Sequence, residues 1–283
     1  MIEDILFGVV EVPGEIVRII LAFAGVIIAA YYDIFNRKNI PDNFLYGFLA
    51  VSVLANLIFF NLDLLIFTVA IAAFFSAIGY IFYRVGQMGG ADVIILACIM
   101  LLMPLTPSFS GLVFNMPFIL PTMIFAGLLF GIYTTANFGI KIAREGGQPN
   151  LLYLLMIIPY LLFAYFYITS PFFSVAFFVI ITVLLVATTF FMMYKEDINL
   201  MLAEQLPMDQ LEPEDVVAFE LMDKETVKKL DIKRVLNEKE IERLKKEGVE
   251  TIWIYTQLPP FVPFLLAGMV LALIFSSSLM FGL

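Results

Sequence analysis

Two aspartates stand at the edges of long apolar runs, where a charged side chain is unusual. Asp33 ends one such run ahead of the basic pair Arg37 and Lys38, and Asp92 opens another. A charge within or at the end of a membrane helix costs free energy unless it is paired or hydrated. Both carboxylates are therefore candidates for chemistry.

Two carboxylates that lie close together in a poorly hydrated site do not both ionise easily, so the pair holds one proton between them. The ionised member can take a proton from water that attacks a peptide carbonyl, and the protonated member can donate to the developing oxyanion. This reaction needs neither a metal nor a cofactor. We therefore predict that Asp33 and Asp92 are catalytic, and we expect no cofactor and no metal.

Small residues precede Asp92 in the order Gly89, Gly90 and Ala91. A backbone with little or no side chain lets a substrate strand approach closely, and glycine also adopts positive φ. These three residues are predicted to support the site. Arg37 and Lys38 are either substrate contacts or residues that fix the orientation of the chain in the membrane.

The composition is typical of a membrane protein. Of 283 residues, 62% are hydrophobic and 14% are charged, against roughly half and a quarter in soluble domains. The net charge of -9 argues against nucleic acid as a partner. Because the chain has no histidine and a single cysteine, Cys98, imidazole chemistry and a thiolate metal cluster within one chain are not expected.

Eight hydrophobic segments predict an all-α polytopic membrane protein with about eight transmembrane helices and a small α+β cytoplasmic domain. The segments cover residues 15–33, 44–61, 64–83, 92–107, 117–140, 151–168, 171–193 and 258–282. The predicted organisation is a membrane core at 1–194 with seven helices, an acidic domain at 195–257, and a C-terminal helix at 258–283.

The basic residues of the connections fall on one predicted face of the membrane, which identifies that face as cytoplasmic. They are Arg37, Lys38, Arg84, Lys141, Arg144 and Lys195. The connections on the other face carry no Lys or Arg, so the N-terminus is predicted to lie outside. Arg18 alone does not fit, because it lies near the outer end of the first segment.

The fourth segment is short for a membrane span. The stretch from Val93 to Leu105 has thirteen residues and covers about 20 Å of a hydrocarbon core about 30 Å thick. Either Asp92 lies below the headgroups or Pro104 kinks a longer helix. A third interpretation is a helix that begins just inside the interface with Asp92 as its N-cap.

The acidic domain carries sixteen acidic and ten basic side chains. Asn237, followed three residues later by Glu240, resembles a capping box, and Gly248 is placed to end the helix. The alternation in residues 249–255 predicts a strand that leads into the last helix.

At Asp33 and Asp92 the sequence resembles the type IV prepilin peptidases and the related archaeal preflagellin peptidases. The Gly-x-Gly-Asp motif of that family is matched by residues 89–92, with Ala91 in the third place. The other family element, an aspartate followed by basic residues and an Ile-Pro-Asp triplet, is matched by Asp33, Arg37, Lys38 and residues 40–42.

The resemblance implies a membrane-embedded aspartic endopeptidase that removes a short basic leader from prepilin-like or preflagellin precursors. Its partners would be the lipid bilayer and membrane proteins whose basic leader precedes a hydrophobic N-terminal helix. The active site would face the cytoplasm, in the plasma membrane, and the acidic domain would attract the leader. Since the CxxC pairs of bacterial members are missing, methyl transfer is not predicted.

Three other functions remain open on the sequence. A presenilin or signal-peptide-peptidase type of protease also carries a glycine-containing Asp motif, but its Pro-Ala-Leu triplet is missing here. A cation-coupled transporter would use two intramembrane carboxylates, although these two lie at one edge of the membrane and no internal repeat is visible. The third is a noncatalytic assembly protein.

Overall fold

The computed structural model describes residues 11–36, 40–110, 115–256 and 258–281. Arg37 and Lys38 lie outside the described residues. The statements below on absent features refer to these four ranges.

Seven helices follow the first seven hydrophobic segments. They are α1 (Glu15–Phe35), α2 (Asp42–Ile58), α3 (Leu62–Arg84), α4 (Gly90–Leu102), α5 (Ile119–Glu145), α6 (Ile157–Ile168) and α7 (Val175–Met193). A 3-10 turn, Leu151–Met156, leads into α6.

The polar region that follows is a small α+β unit. It contains α8 (Lys195–Leu202), β1 (Ala203–Pro207), α9 (Lys224–Lys229), α10 (Glu238–Lys246) and β2 (Thr251–Tyr255). The two strands are antiparallel, with Ala203 opposite Tyr255. Buried aliphatic residues from the helices and strands, among them Leu236, Leu244 and Ile254, form its core.

The local predictions for this region are confirmed. The Oδ1 of Asn237 accepts a hydrogen bond from the backbone N–H of Glu240 at 2.9 Å, so Asn237 caps α10. Gly248 lies just beyond the helix with a φ of 80°, a left-handed conformation that ends helices and favours glycine. The predicted strand is β2.

The chain then returns to apolar sequence in α11 (Val262–Phe281). Five helical stretches are long and apolar enough to cross a membrane: Glu15–Phe35, Leu62–Arg84, Ile119–Glu145, Leu151–Ile168 and Val175–Met193. The shorter apolar stretches are Asp42–Ile58, Gly90–Leu102 and Val262–Phe275. The fold is thus a mostly helical, multi-pass membrane protein, while the count of eight spans stays a prediction.

The central helix is α4, which contacts α1, α2, α3 and α5, whereas α11 packs against α1 and α5. The contact between α11 and α5 is close enough to require glycine. A β-carbon on Gly268 would lie 2.5 Å from the carbonyl oxygen of Thr122. By contrast, α6 and α7 expose most of their apolar side chains, as expected for a lipid-facing surface.

The end of α4 far from Asp92 is fixed by Arg18 of α1, which is 1% exposed. Its guanidinium donates hydrogen bonds to Asn56 Oδ1 at 3.0 Å, to the carbonyl of Leu101 at 3.2 Å and to the carbonyl of Phe59 at 3.4 Å. The last carbonyls of a helix have no partner within it. Arg18 supplies such partners at the ends of both α2 and α4.

This arrangement answers two questions raised by the sequence. Arg18 is a buried structural residue and not a loop charge, so it does not count against the predicted orientation. The helix α4 ends at Leu102 after 13 residues, and Pro104 lies beyond it, so the interpretation of a kinked longer helix is wrong.

We expect Arg18→Met to lower the melting temperature of the protein in detergent. Asn56 Oδ1 and the carbonyl of Phe59 would lose their donor, and each unsatisfied buried polar group costs about 1–3 kcal/mol. Arg84→Met is the matched control, because Arg84 is exposed at the other end of the bundle. Equal melting temperatures for the two variants would contradict the structural role of Arg18.

Candidate active site

Asp33 lies in the last turn of α1 and is 7% exposed. Its Oδ2 accepts a hydrogen bond of 2.9 Å from the backbone N–H of Val262, the first residue of α11. The first N–H groups of a helix have no partner inside that helix. The carboxylate of α1 therefore completes the N-terminus of α11, and the bond fixes one of its oxygens.

Asp92 is the third residue of α4 and is partly buried. Its Oδ2 accepts a hydrogen bond of 3.2 Å from the backbone N–H of Gly89, which precedes the helix in an extended conformation. A carboxylate that reaches back from the third helical position is one half of a capping box. The interpretation of Asp92 as the N-cap is therefore wrong, since Gly89 holds that position.

The structure brings Asp33 and Asp92 to the same end of the bundle. The helix α1 ends there and α4 begins there, and the two carboxylates interact electrostatically. Each carboxylate accepts a bond from a backbone N–H, which restricts its rotation. That the two carboxylates share a proton and activate water stays a prediction.

Val262 is the contributor that sequence reasoning did not find. It supplies a backbone N–H. Nearly every residue type has such a group, so the residue type gave no indication of this role. The available signal was the run of prolines at 259, 260 and 263, which favours the start of a helix at this point. Nothing in the sequence relates that start to Asp33.

A cleft of about 400 Å³ adjoins the glycine motif. We call it the tyrosine cleft, after the three tyrosines in its wall. Its lining residues are Ile40, Asp42, Leu45, Tyr46, Tyr80, Tyr83, Gly89, Gly90, Ala91, Val93, Ile94 and Glu214. Neither Asp33 nor Asp92 lines it, whereas the residues on both sides of Asp92 in the chain do.

The polar region docks on the loop between α3 and α4. Gly86 has a φ of 71°, and a β-carbon there would lie 2.7 Å from Val216 Cγ1 and 3.1 Å from Arg234 Cγ. Arg234 is held in turn by Glu220 at 2.9 Å. The glycine thus allows the polar region to contact the backbone that leads directly into the motif.

Electrostatics stabilise this contact. Burial alone would raise the pKa of Glu220, but hydrogen bonds from Arg234 and Tyr255 outweigh it and leave that pKa below its usual value. Burial and the neighbouring Glu220 raise the pKa of Tyr255 to about 12. Glu220 is therefore ionised and Tyr255 is protonated at neutral pH, so Tyr255 donates to Glu220 at 2.9 Å and the arginine stays in place.

Among the described residues, no group of three His, Cys, Asp or Glu side chains is placed to hold a metal ion.

In comparison with known proteins, residues 20–135 match the type IV leader peptidase family. This segment is similar to that family and covers less than half of the chain. The match includes Asp33 and Asp92 but ends before Glu214 and Val262. The similarity suggests a protease and supports a type IV leader peptidase. No curated protein and no solved structure shows significant similarity to the chain.

We expect Gly86→Ala to loosen the polar region of the protein, because the added β-carbon meets Val216. Limited proteolysis of residues 203–256 measures the effect as a faster cut. Gly146→Ala is the matched control, since Gly146 has a φ of 81° with no neighbouring atom within 4 Å of an added β-carbon. Similar proteolysis of both variants would mean that backbone strain, and not the contact, matters.

Proposed function

We propose that this protein is a leader peptidase of the aspartic type, with Asp33 and Asp92 as its catalytic pair. It removes the basic leader from prepilin-like or preflagellin precursors at the cytoplasmic face of the plasma membrane. The observation that carries the proposal is that the two carboxylates lie at the same end of the bundle, within the segment that matches the family.

The reaction begins with one proton on the pair. The ionised aspartate takes a proton from a water molecule as the water oxygen bonds to the scissile carbonyl carbon, and the other aspartate donates its proton to the carbonyl oxygen. Collapse of the tetrahedral intermediate breaks the C–N bond. The leaving nitrogen takes the proton of the pair, and one hydroxyl of the intermediate returns its proton to the pair, so the pair again holds one proton.

The hydrogen bonds at Asp33 and Asp92 support these roles. A catalytic group must be held close to its reactive position, because a displacement of about 1 Å can cost on the order of 100-fold in rate. Val262 and Gly89 donate from backbone atoms of helix ends, which move less than side chains. Gly89, Gly90 and Ala91 would let the substrate backbone pass over the motif.

The orientation of the site follows from the basic residues of the connections. Arg84 ends α3 at the end of the bundle that holds Asp92, and by the positive-inside rule this end faces the cytoplasm. A leader that precedes a membrane helix would reach the pair from this side. Arg37 and Lys38 are proposed either to fix the orientation of the chain in the membrane or to contact the substrate.

We expect Asp33→Asn and Asp92→Asn each to reduce cleavage of a preflagellin-like or prepilin-like substrate by at least about 100-fold. Either change leaves the pair without its acid and base functions. The measurement is the rate of leader release in membranes that contain equal amounts of each protein.

Asp63→Asn is the control for that experiment, because Asp63 is an exposed carboxylate at the opposite end of α3. It should cleave at the wild-type rate. Full activity of Asp33→Asn or Asp92→Asn would refute the catalytic pair. Failure of the wild type to cleave any leader-bearing substrate would favour the transporter or assembly functions.

We expect Val262→Pro to reduce the turnover rate by roughly 10- to 100-fold, since a hydrogen bond to a charged group contributes about 1.5–3 kcal/mol. Proline removes the N–H that Asp33 accepts, and it is tolerated at the first position of a helix. The measurement is kcat for leader release.

Val262→Ala is the matched variant, because it keeps the N–H and removes only buried side-chain atoms. If both variants lose the same activity, packing of the Val262 side chain explains the loss and the backbone bond to Asp33 does not.

A further inference from the structure

The tyrosine cleft is lined by two carboxylates that do not belong to the proposed catalytic pair. Asp42 and Glu214 both line it, and among the residues that the structure describes no Lys or Arg does. Arg84 contacts the hydroxyl and ring of Tyr80 without lining the cleft. The cavity therefore presents two carboxylates and aromatic rings, with apolar surface from residues such as Ile40 and Val93 between them.

We propose that the tyrosine cleft binds a Lys or Arg side chain of the substrate and that Glu214 determines this specificity. The proposal rests on the proposed function and deepens it, because it assigns recognition to a residue of the polar region outside the family match. A cation is the side chain that acidic and aromatic groups together favour.

Glu214 is positioned by several contacts. Its backbone is left-handed, with a φ of 74°, and its N–H donates to the carbonyl of Leu236 at 2.8 Å. The hydroxyl of Tyr83 donates to its Oε1 at 3.3 Å. A β-carbon on Gly90 would lie 3.4 Å from the same oxygen, so the carboxylate lies directly over the glycine motif.

The carboxylate of Glu214 differs from other acidic groups of the polar region. Glu220, Glu240 and Glu247 each form an ion pair with Lys or Arg. Within the described ranges, Glu214 pairs with no Lys or Arg and is oriented by a tyrosine hydroxyl instead. Its charge is therefore held in place beside the cleft without being neutralised.

The size and position of the cleft agree with a side chain of the substrate. A volume of about 400 Å³ exceeds that of one lysine or arginine side chain and leaves room for water. The glycine motif lines the cleft. A substrate chain that occupies the cleft therefore lies against the residues that adjoin Asp92 in the sequence. An apolar side chain would shield Glu214 from water without pairing its charge, which is unfavourable.

A charge-swap experiment with the full-length protein tests the proposal. The substrates are a basic leader precursor and a set in which each leader Lys or Arg is replaced singly by Glu. We expect Glu214→Lys to reduce kcat/KM for the basic leader by about tenfold. One leader of the set, with Glu at the position that enters the cleft, should be cleaved faster by Glu214→Lys than by the wild-type protein. Glu212→Lys is the matched control, because Glu212 is exposed two residues away and does not line the cleft.

Binding gives a readout that does not depend on cleavage. Fluorescent peptides with the same leaders are titrated onto the Asp92→Asn protein, with and without Glu214→Lys. If Glu214→Lys weakens binding of the basic leader and strengthens binding of a Glu-containing leader, the cleft binds the leader even if the proposed reaction is wrong.

If Glu214→Lys changes all leaders by the same factor in both assays, or if Glu212→Lys has the same effect, the specificity assignment is wrong. A loss of cleavage in Asp33→Asn and Asp92→Asn would still leave the catalytic pair standing.

Discussion

The hydrogen bond from the Val262 N–H to Asp33 joins two helices through residues that are 229 positions apart in the chain. A carboxylate buried among apolar helices requires a donor, and the first turn of a helix requires an acceptor. Each group satisfies the other, so α1 and α11 are held in register at the candidate site. The close packing of α11 against α5 at Gly268 also helps to fix the position of α11 along the bundle.

The two ends of α4 are held by different chemistry. At the end with Asp92, a carboxylate accepts from the backbone of Gly89, whereas at the far end Arg18 and Asn56 donate to the carbonyl of Leu101. Both arrangements satisfy backbone groups that a short helix leaves open in an apolar environment. The 13-residue length of α4 is therefore stabilised by neighbours and does not depend on the helix alone.

The parts of the fold that depend on local pattern could be predicted. Long apolar runs gave the positions of the membrane helices, and the Asn237 cap with Gly248 gave α10, because these features act within a few residues. Asp33 and Asp92 could be singled out as charges at apolar edges. The roles of Arg18, Val262 and Glu214 could not, because each depends on a partner 38 to 229 residues away. The partnership at Val262 also involves a backbone atom, which every residue carries.

The bond between Asp33 and Val262 also bears on when the enzyme becomes competent. A ribosome adds residues at about 5–20 per second, so Val262 follows Asp33 by more than ten seconds during synthesis. Until α11 has inserted beside α1, the carboxylate of Asp33 lacks this backbone donor. On the proposed function, a nascent chain that holds α1 and α4 in the bilayer is thus an unfinished protease, and biogenesis itself delays the onset of peptide cleavage.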